Sequence, residues 1–491
     1  MQLKYGKVNI VAYATIFIEE CDFMSVQQNT DELRTESIGK LLVKFSIPAI
    51  IGMIVNMLYN VVDRIYIGNI PNVGGLAITG VGITMPITQI ITGIGMLIGI
   101  GTSASISIAF GKQKREEAQR YLGNGFLSIV VVSIAIAIFG NVFADSILRV
   151  FGASDLTLQY AAAYMKPLFI GTICNLCAFG LNHSISSDSN PRVGMFTMII
   201  GAIVNIILDP IFIFGLNLGI AGAAYATVIS QFVATCWVVN YFTRSKKSTI
   251  KLTKEDMRPN FMILKNIFMI GLAPCCMQVA SSVVTLIANR SLMTYGGDLA
   301  IGAMAIIASV SSIFVMPIFG LNQGAQPIMG YNFGAKQYER VRKTYKISLM
   351  ICTVILVISF IFIQVAPEVA VGMFNNDPEL TEITASGMRI FLLSLPIIGI
   401  QMTASNYYQA VGKVKKAMII GLTRQVIFLT PAFLIFPKFY GLNGVWYAGP
   451  IADTLAVMLS GTIIFREMRH LKQMENHKKL DHKEAYKEVV A

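Results

Sequence analysis

The chain has 491 residues, 54% of them hydrophobic and 13% charged, with a formal net charge of +12 and a mean hydropathy of +0.63. Soluble domains carry about 25% charged residues, so most of this surface faces lipid. The surplus Lys and Arg lie between apolar runs, which points to the anionic face of a membrane and away from nucleic acid. A zinc site is disfavoured: Cys275 and Cys276 are adjacent, Cys174-x-x-Cys177 lies in an apolar run without a second pair, and three of the four His sit in the tail.

Residues 8–18 form an apolar run too short to span a bilayer, followed by Glu19-Glu20 and lacking a small-residue cleavage site. Met24 is an alternative start, with residues 1–23 then outside the native chain; an interfacial segment is the other reading. Twelve stretches are long enough to cross: 41–67, 76–108, 121–144, 156–183, 192–214, 218–243, 263–293, 298–330, 345–366, 379–410, 415–438 and 441–465. In lipid such segments must be helices. The loops after spans two, six, eight and ten are basic (Lys112, Lys114, Arg115; Arg244, Lys246, Lys247; Lys336, Arg340, Arg342; Lys413, Lys415, Lys416). The alternate loops are nearly bare, and the long one after span nine is acidic (Glu368, Asp377, Glu379). The positive-inside rule places the even loops and both termini in the cytoplasm.

The chain repeats itself. Gly219-Ile-Ala-Gly222 recurs as Gly441-Leu-Asn-Gly444, Met198-Ile-Ile-Gly201 as Met418-Ile-Ile-Gly421, and Leu76-Ala77-Ile78 as Leu299-Ala300-Ile301, at steps of 220 to 223 residues. The expected fold is an all-α polytopic membrane protein, its twelve helices in two homologous six-helix lobes. With six spans per copy both halves enter in the same sense, so the pseudo-two-fold axis runs along the membrane normal. The divisions are an N-terminal segment 1–37, an N-lobe 38–243, a linker 244–262, a C-lobe 263–466 and a charged tail 467–491, read as a helix on the membrane or in solvent.

An ionisable group within a span is costly and is a functional candidate by default. Asp63, in Tyr59-Asn60-Val-Val-Asp63-Arg64, and Asp209, in Asn205-Ile-Ile-Leu-Asp209-Pro210, both fall toward the outer ends of their spans. Asn205 shares a helix face with Asp209, and Pro210 frees the Ile206 carbonyl. The second copy has Asn289 and Thr430 at the matching positions, so the carboxylates belong to one half only. They suit proton or sodium coupling; Asn205 and Thr227 add oxygen ligands, and the residue pattern does not choose between the ions. Asp453 and Arg424 lie at similar depth on adjacent spans and read as an ion pair or as a cation-attracting group in a cavity. Lys166 and Arg389 occupy equivalent repeat positions and read as snorkelling side chains or as contacts to an anion. Gln278, Asn322 and Gln326 are polar residues on apolar helices of the second half; each reads as interhelical glue or as a ligand contact, and together with the many Met they suit a permissive apolar cavity. There is no Walker A phosphate cradle, no T-V-G-Y-G filter and no nucleophile–base pair, so no enzyme is expected.

From residue 38 to residue 466 the chain resembles the multidrug and toxic compound extrusion (MATE) transporters of bacteria. The motifs are Tyr59-Asn60-x-x-Asp63-x-x-Tyr66-Ile-Gly68, Asn205-x-x-x-Asp209-Pro210 and Gly219-x-x-Gly222-Ala-Ala-x-Ala226-Thr227. The resemblance implies a V of two lobes exporting organic cations against H⁺ or Na⁺ entry, with Asp63, Asn205, Asp209 and Thr227 as the coupling site. Asn182 matches a further Asn of the family, although the stretch after it reads Ser184-Ile-Ser-Ser-Asp188-Ser-Asn190 where the family has an arginine-glycine pattern. It also implies no cofactor, small-molecule drug or toxin substrates, lipid as the surrounding partner, a monomer, and a plasma-membrane location. The rival is a flippase for a lipid-linked saccharide, for which Lys166, Arg290, Arg389 and Arg424 offer cations to a diphosphate.

Overall fold

Backbone within hydrocarbon must satisfy its own hydrogen bonds, and the spans obey this rule. The computed structural model describes residues 32–71, 74–372 and 378–490, which form helices and turns and no strand. The apolar run 8–18 and Met24 lie outside the described residues. Eleven helices are long and apolar enough to cross a membrane, and one bent pair makes a twelfth. They are α1 (Ile38–Gly68), α2 (Thr79–Gly111), α3 (Arg115–Val142), α4 (Asp155–Ser187), α5 (Pro191–Gly215) and α6 (Gly219–Thr243), then α7 (Phe261–Gly297), α8 (Leu299–Gly334), α9 (Tyr338–Val365), α10 (Pro378–Phe391 with Leu395–Ala410, bent by 57°), α11 (Val414–Tyr440) and α12 (Leu442–Asn476).

Several helices outrun their apolar pattern. α3 and α9 start at Arg115 and Tyr338, not near 121 and 345, because Glu116, Glu117 and Glu339 suit the first turn of a helix. α12 continues through residue 466 without a break. Its charged end is not a free tail: Glu467 is 2% exposed and accepts from Lys413, Lys416 and Tyr407, Leu471 is buried, and Glu475 pairs with Arg342 at 2.9 Å.

The duplication survives at fine grain. Short helices Ala144–Val150 and Pro367–Gly372 precede α4 and α10, and neither is visible as a separate apolar pattern. Lys166 pairs with Asp145 at 3.1 Å, and 223 residues later Arg389 pairs with Glu368 at 3.1 Å. Both cations therefore hold a short helix, where the sequence expectation is snorkelling or contact with an anion. Each exposed pair contributes roughly 0–1 kcal/mol. Both copies also carry a π-turn beside their proline, Ile211–Gly215 after Pro210 and Thr423–Leu429 before Pro431, as expected where Pro withholds an N–H.

The apolar cores show how the lobes sit. One large cluster near the basic loops draws on both lobes, with Phe45, Ile98 and Leu181 alongside Ile267, Ile328 and Tyr408. Away from the basic face it divides into an N-lobe cluster around Ile67, Val81 and Ile213 and a C-lobe cluster around Leu292, Ile307 and Trp446. The lobes thus join at the basic end and separate toward the other end. Glycine makes the junction close. A Cβ at Gly101 would fall on the Ile267 carbonyl, at Gly271 on that of Leu97, and at Gly111 on that of Tyr331. α2 therefore lies backbone to backbone against α7 and α8. Overpacking costs about 1–3 kcal/mol, so Gly271→Ala should lower the thermal midpoint in detergent by several degrees. Gly39→Ala, where a Cβ meets nothing within 4 Å, should leave it unchanged.

The linker between the lobes is anchored to the N-lobe. Asp188, 0% exposed in the turn after α4, accepts from Tyr241 Oη (2.6 Å), Ser248 Oγ (3.0 Å), the Thr249 amide (3.1 Å) and the Thr249 hydroxyl. Asn190 Nδ2 donates to the Lys247 carbonyl at 3.1 Å, Arg115 donates to that of Thr249, and Asn124 Nδ2 donates to that of Asp256 at 3.1 Å. Burial pushes the Asp188 carboxyl up to about 7, opposed by its hydrogen-bond donors and by Lys251. A folded-state value above the unfolded value of about 3.9 contributes stability that is complete in acid and is lost as pH rises through about 7. Amide exchange across residues 245–250, corrected for intrinsic rate, should quicken between pH ~4 and pH ~7 and level off above that. Asp188→Asn should flatten that dependence.

Candidate functional site

The end of the N-lobe away from the basic face gathers carboxylates with too few partners. Asp209 lies one residue before the proline of α5, where the π-turn starts, and Asn205 sits one turn earlier on the same face. Both are 0% exposed, and Asp63 on α1 is 7% exposed. Asn205 Nδ2 donates to Asp209 Oδ1 at 3.1 Å and to Thr227 Oγ1 of α6 at 3.4 Å. α1 packs along α5, with Gly52 against Met198. This brings Asp63 within electrostatic reach of Asp209, and both within reach of Tyr59 and of the buried Tyr164 on α4. The structure therefore brings Asp63, Asn205, Asp209 and Thr227 to one locus.

Three oxygens of this locus are buried without a hydrogen-bond partner: Asp63 Oδ1, Asn205 Oδ1 and Asp209 Oδ2. A buried acceptor left unpaired costs about 1–3 kcal/mol, more when charged. The only cation acting on either carboxylate among the described residues is Arg64, itself exposed. Such a set of oxygens fits a proton on a carboxyl or a small hard cation. No group of three or more His, Cys, Asp or Glu that could hold a metal exists among the described residues, so a transition-metal centre has no ligands here.

Asn182 is not part of this locus. Its buried Oδ1 lies against Gly194, near the start of α5. The fifteen residues from Gly194 to Asp209 span roughly 22 Å of helix at about 1.5 Å per residue. Asn182 thus sits toward the opposite end of the lobe, a correction to the motif-based grouping.

The second-half candidates also separate. Gln278 packs across the lobe junction against Gly93. Asn322 and Gln326 are one turn apart on α8, both buried, with Asn322 Oδ1 and Gln326 Nε2 unpaired. Asp453 is not presented to a cavity: it accepts from Arg424 Nε and, at 2.8 Å, from Ser394 Oγ at the bend of α10. Its side chain is 4% exposed. Removing one member of a buried pair typically costs about 3–5 kcal/mol, whereas replacing both with apolar groups is often neutral. Arg424→Met should accordingly lower folded yield, and Arg424→Met with Asp453→Leu should recover it, as measured by size-exclusion chromatography of detergent-solubilised protein.

Sequence reasoning missed Tyr164, an aromatic on an apolar helix with nothing to distinguish it. It also missed His183, the one His outside the tail. That solitary position in a span was a signal in itself, since ionisable groups within spans are rare.

These features define a class: a duplicated, twelve-span membrane transporter, its lobes joined at one face and its incompletely paired buried acids gathered in one lobe. The chain belongs to the MatE family, whose model matches residues 48–211 and 274–434. It is 29% identical over 429 residues to the multidrug export protein MepA of Staphylococcus haemolyticus, covering 87% of this chain and 94% of that protein. Among solved structures it is similar to the MATE multidrug transporter DinF-BH in complex with R6G, at 39% identity and a TM-score of 0.82, covering 88% of this chain and 96% of the other. It is similar also to the outward-facing conformation of a multidrug resistance MATE family transporter of the MOP superfamily, at 25% identity and a TM-score of 0.84, covering 90% and 98%.

Proposed function

We propose that this protein is a secondary antiporter of a bacterial plasma membrane that exports organic, mostly cationic and amphipathic compounds in exchange for H⁺ or Na⁺. The observation that carries the proposal is the set of unpaired, buried oxygens on Asp63, Asn205 and Asp209, with the exposed Arg64 as the one cation near them among the described residues. In this reading the lobes, 38–243 and 263–466, rock about the linker 244–262 with the basic face and both termini in the cytoplasm. With the far side open, H⁺ or Na⁺ loads the carboxylates, α1 shifts, and the drug leaves. With the basic side open, the ion departs and the drug enters. The relatives named for multidrug export support the substrate class. The protein acts as a monomer and carries out no covalent chemistry.

The flippase reading loses its cations. Lys166, Arg389 and Arg424 are each paired with an acid, and Arg290 is exposed, so they do not gather around a diphosphate.

Ethidium efflux from inside-out vesicles, under a proton gradient alone and a sodium gradient alone, identifies the ion. Asp63→Asn and Asp209→Asn should each reduce gradient-driven efflux to background while leaving the amount of protein in the membrane unchanged. Full efflux in both variants contradicts the proposal.

A further inference from the structure

His183 lies four residues from the basic end of α4, 6% exposed, at the junction of the two lobes. Its Nδ1 is 3.5 Å from Gln323 Nε2 of α8, a contact that crosses from one lobe to the other. An amide N–H can donate only to an unprotonated ring nitrogen, so the contact calls for a neutral imidazole with its proton on Nε2. That Nε2 is buried and has no partner, and neither has Gln323 Oε1. Turning the amide over would let Oε1 accept from a protonated ring but would supply no negative charge.

Among the described residues, the groups that the surrounding elements present to His183 are uncharged. α2 presents Ser103, whose Oγ donates to the His183 carbonyl at 3.0 Å, and α8 presents Gln323. Its own helix presents Phe179, edge-on at 5.1 Å between ring centroids. Asp188, the nearest acid along the chain, is turned to the linker, and Arg192 at the start of α5 is exposed. The neighbouring backbone is tightly closed: a Cβ at Gly99 would lie 2.6 Å from Gly180 Cα, and one at Gly330 would lie 2.9 Å from Ser107 Cβ.

We propose that His183 is a second proton-binding site, placed in the lobe junction at the opposite end from the carboxylates, and that its protonation opens the basic face. This rests on the rocking motion proposed above. With the junction closed, an imidazolium would be stripped of water with no counter-charge. With the junction open, both ring nitrogens and the unpaired amide oxygen meet water. The open form therefore binds the proton more tightly, and by linkage acid on the basic side favours the state that loads substrate. Below the ordinary imidazole value of about 6.5 the ratio of open to closed forms should rise by up to about tenfold per pH unit.

Spin labels at Lys112→Cys and Lys415→Cys, both exposed on the basic face, report the separation of the lobes. The measurement uses lipid nanodiscs and a background free of native cysteines, with Asp63→Asn and Asp209→Asn present so that the carboxylates contribute no titration. The long-distance population should grow between about pH 7.5 and about pH 5.5, and adding His183→Asn should hold it constant within about twofold. His183→Gln, a second neutral amide, guards against a folding defect peculiar to one variant. An equal rise with either substitution, or no rise in the parent, overturns the His183 site. The antiport reading is judged separately, by ethidium efflux with the carboxylates intact, so the two can fail independently.

Discussion

Two carboxylates buried in one lobe, each with an oxygen that has no hydrogen-bond partner, constrain everything else in this molecule. Asp209 is fully buried, and its single side-chain donor is Asn205, which also reaches Thr227. Asp63 adds a second acid within electrostatic reach. Water is scarce at this depth, and leaving such oxygens unpaired is costly. Under the proposed function, a charge from solution completes the site. The C-lobe solves the same problem in a fixed way. Its buried acid, Asp453, is held by Arg424 and Ser394 beside the bend of α10. The buried acid of one lobe is thus paired while those of the other keep unpaired oxygens, an asymmetry built on a duplicated frame.

That asymmetry becomes transport only if the lobes can move as units. The geometry favours this. The shared core lies at the basic end, and the separate cores at the other end belong to one lobe each. The shared junction is sealed by backbone approaching backbone at glycines, and interiors packed this closely resist gradual deformation. It also contains polar atoms with no partner, among them His183 Nε2 and Gln323 Oε1. An interface that were permanent would have satisfied or removed them. The linker does not simply span the lobes. Asp188, Asn190, Arg115 and Asn124 hold it to the N-lobe, and the Asn260 amide, just ahead of α7, donates to Asn124 Oδ1 at 2.9 Å, so the linker is tied to that lobe up to the start of α7.

Much of this was legible in the sequence because bilayers impose strong rules. Span number follows from the apolar runs, lobe symmetry from the repeat, and the clustering of Asn205 and Asp209 from helical spacing. Asp63 joined them through motif resemblance, since no local pattern reveals which helices pack together. The misses have physical causes. Asn182 matched by motif, but its position along an antiparallel helix pair puts it at the far end of α5. Asp453 had two open readings, because an acid beside an Arg at equal depth pairs only if the helix faces agree, and the π-turn in α11 is what turns Arg424 toward it. The charged end of α12 looked like a free tail, because hydropathy sees charge but not the Lys413 and Lys416 waiting to neutralise Glu467. Asp188 stood out only as a departure from a motif, and its role as a linker anchor needed three-dimensional contacts.

The central claim is that drug and ion compete for alternate states of one molecule through the Asp63–Asp209 pair. It is tested most directly by following ion release when purified protein binds tetraphenylphosphonium in a weakly buffered, sodium-controlled solution. The account predicts that drug binding displaces protons or ²²Na⁺ in proportion to occupied protein, and that the displacement vanishes when both residues are Asn although the drug still binds. Drug binding that displaces neither ion, or displacement that persists undiminished in the double variant, would contradict it.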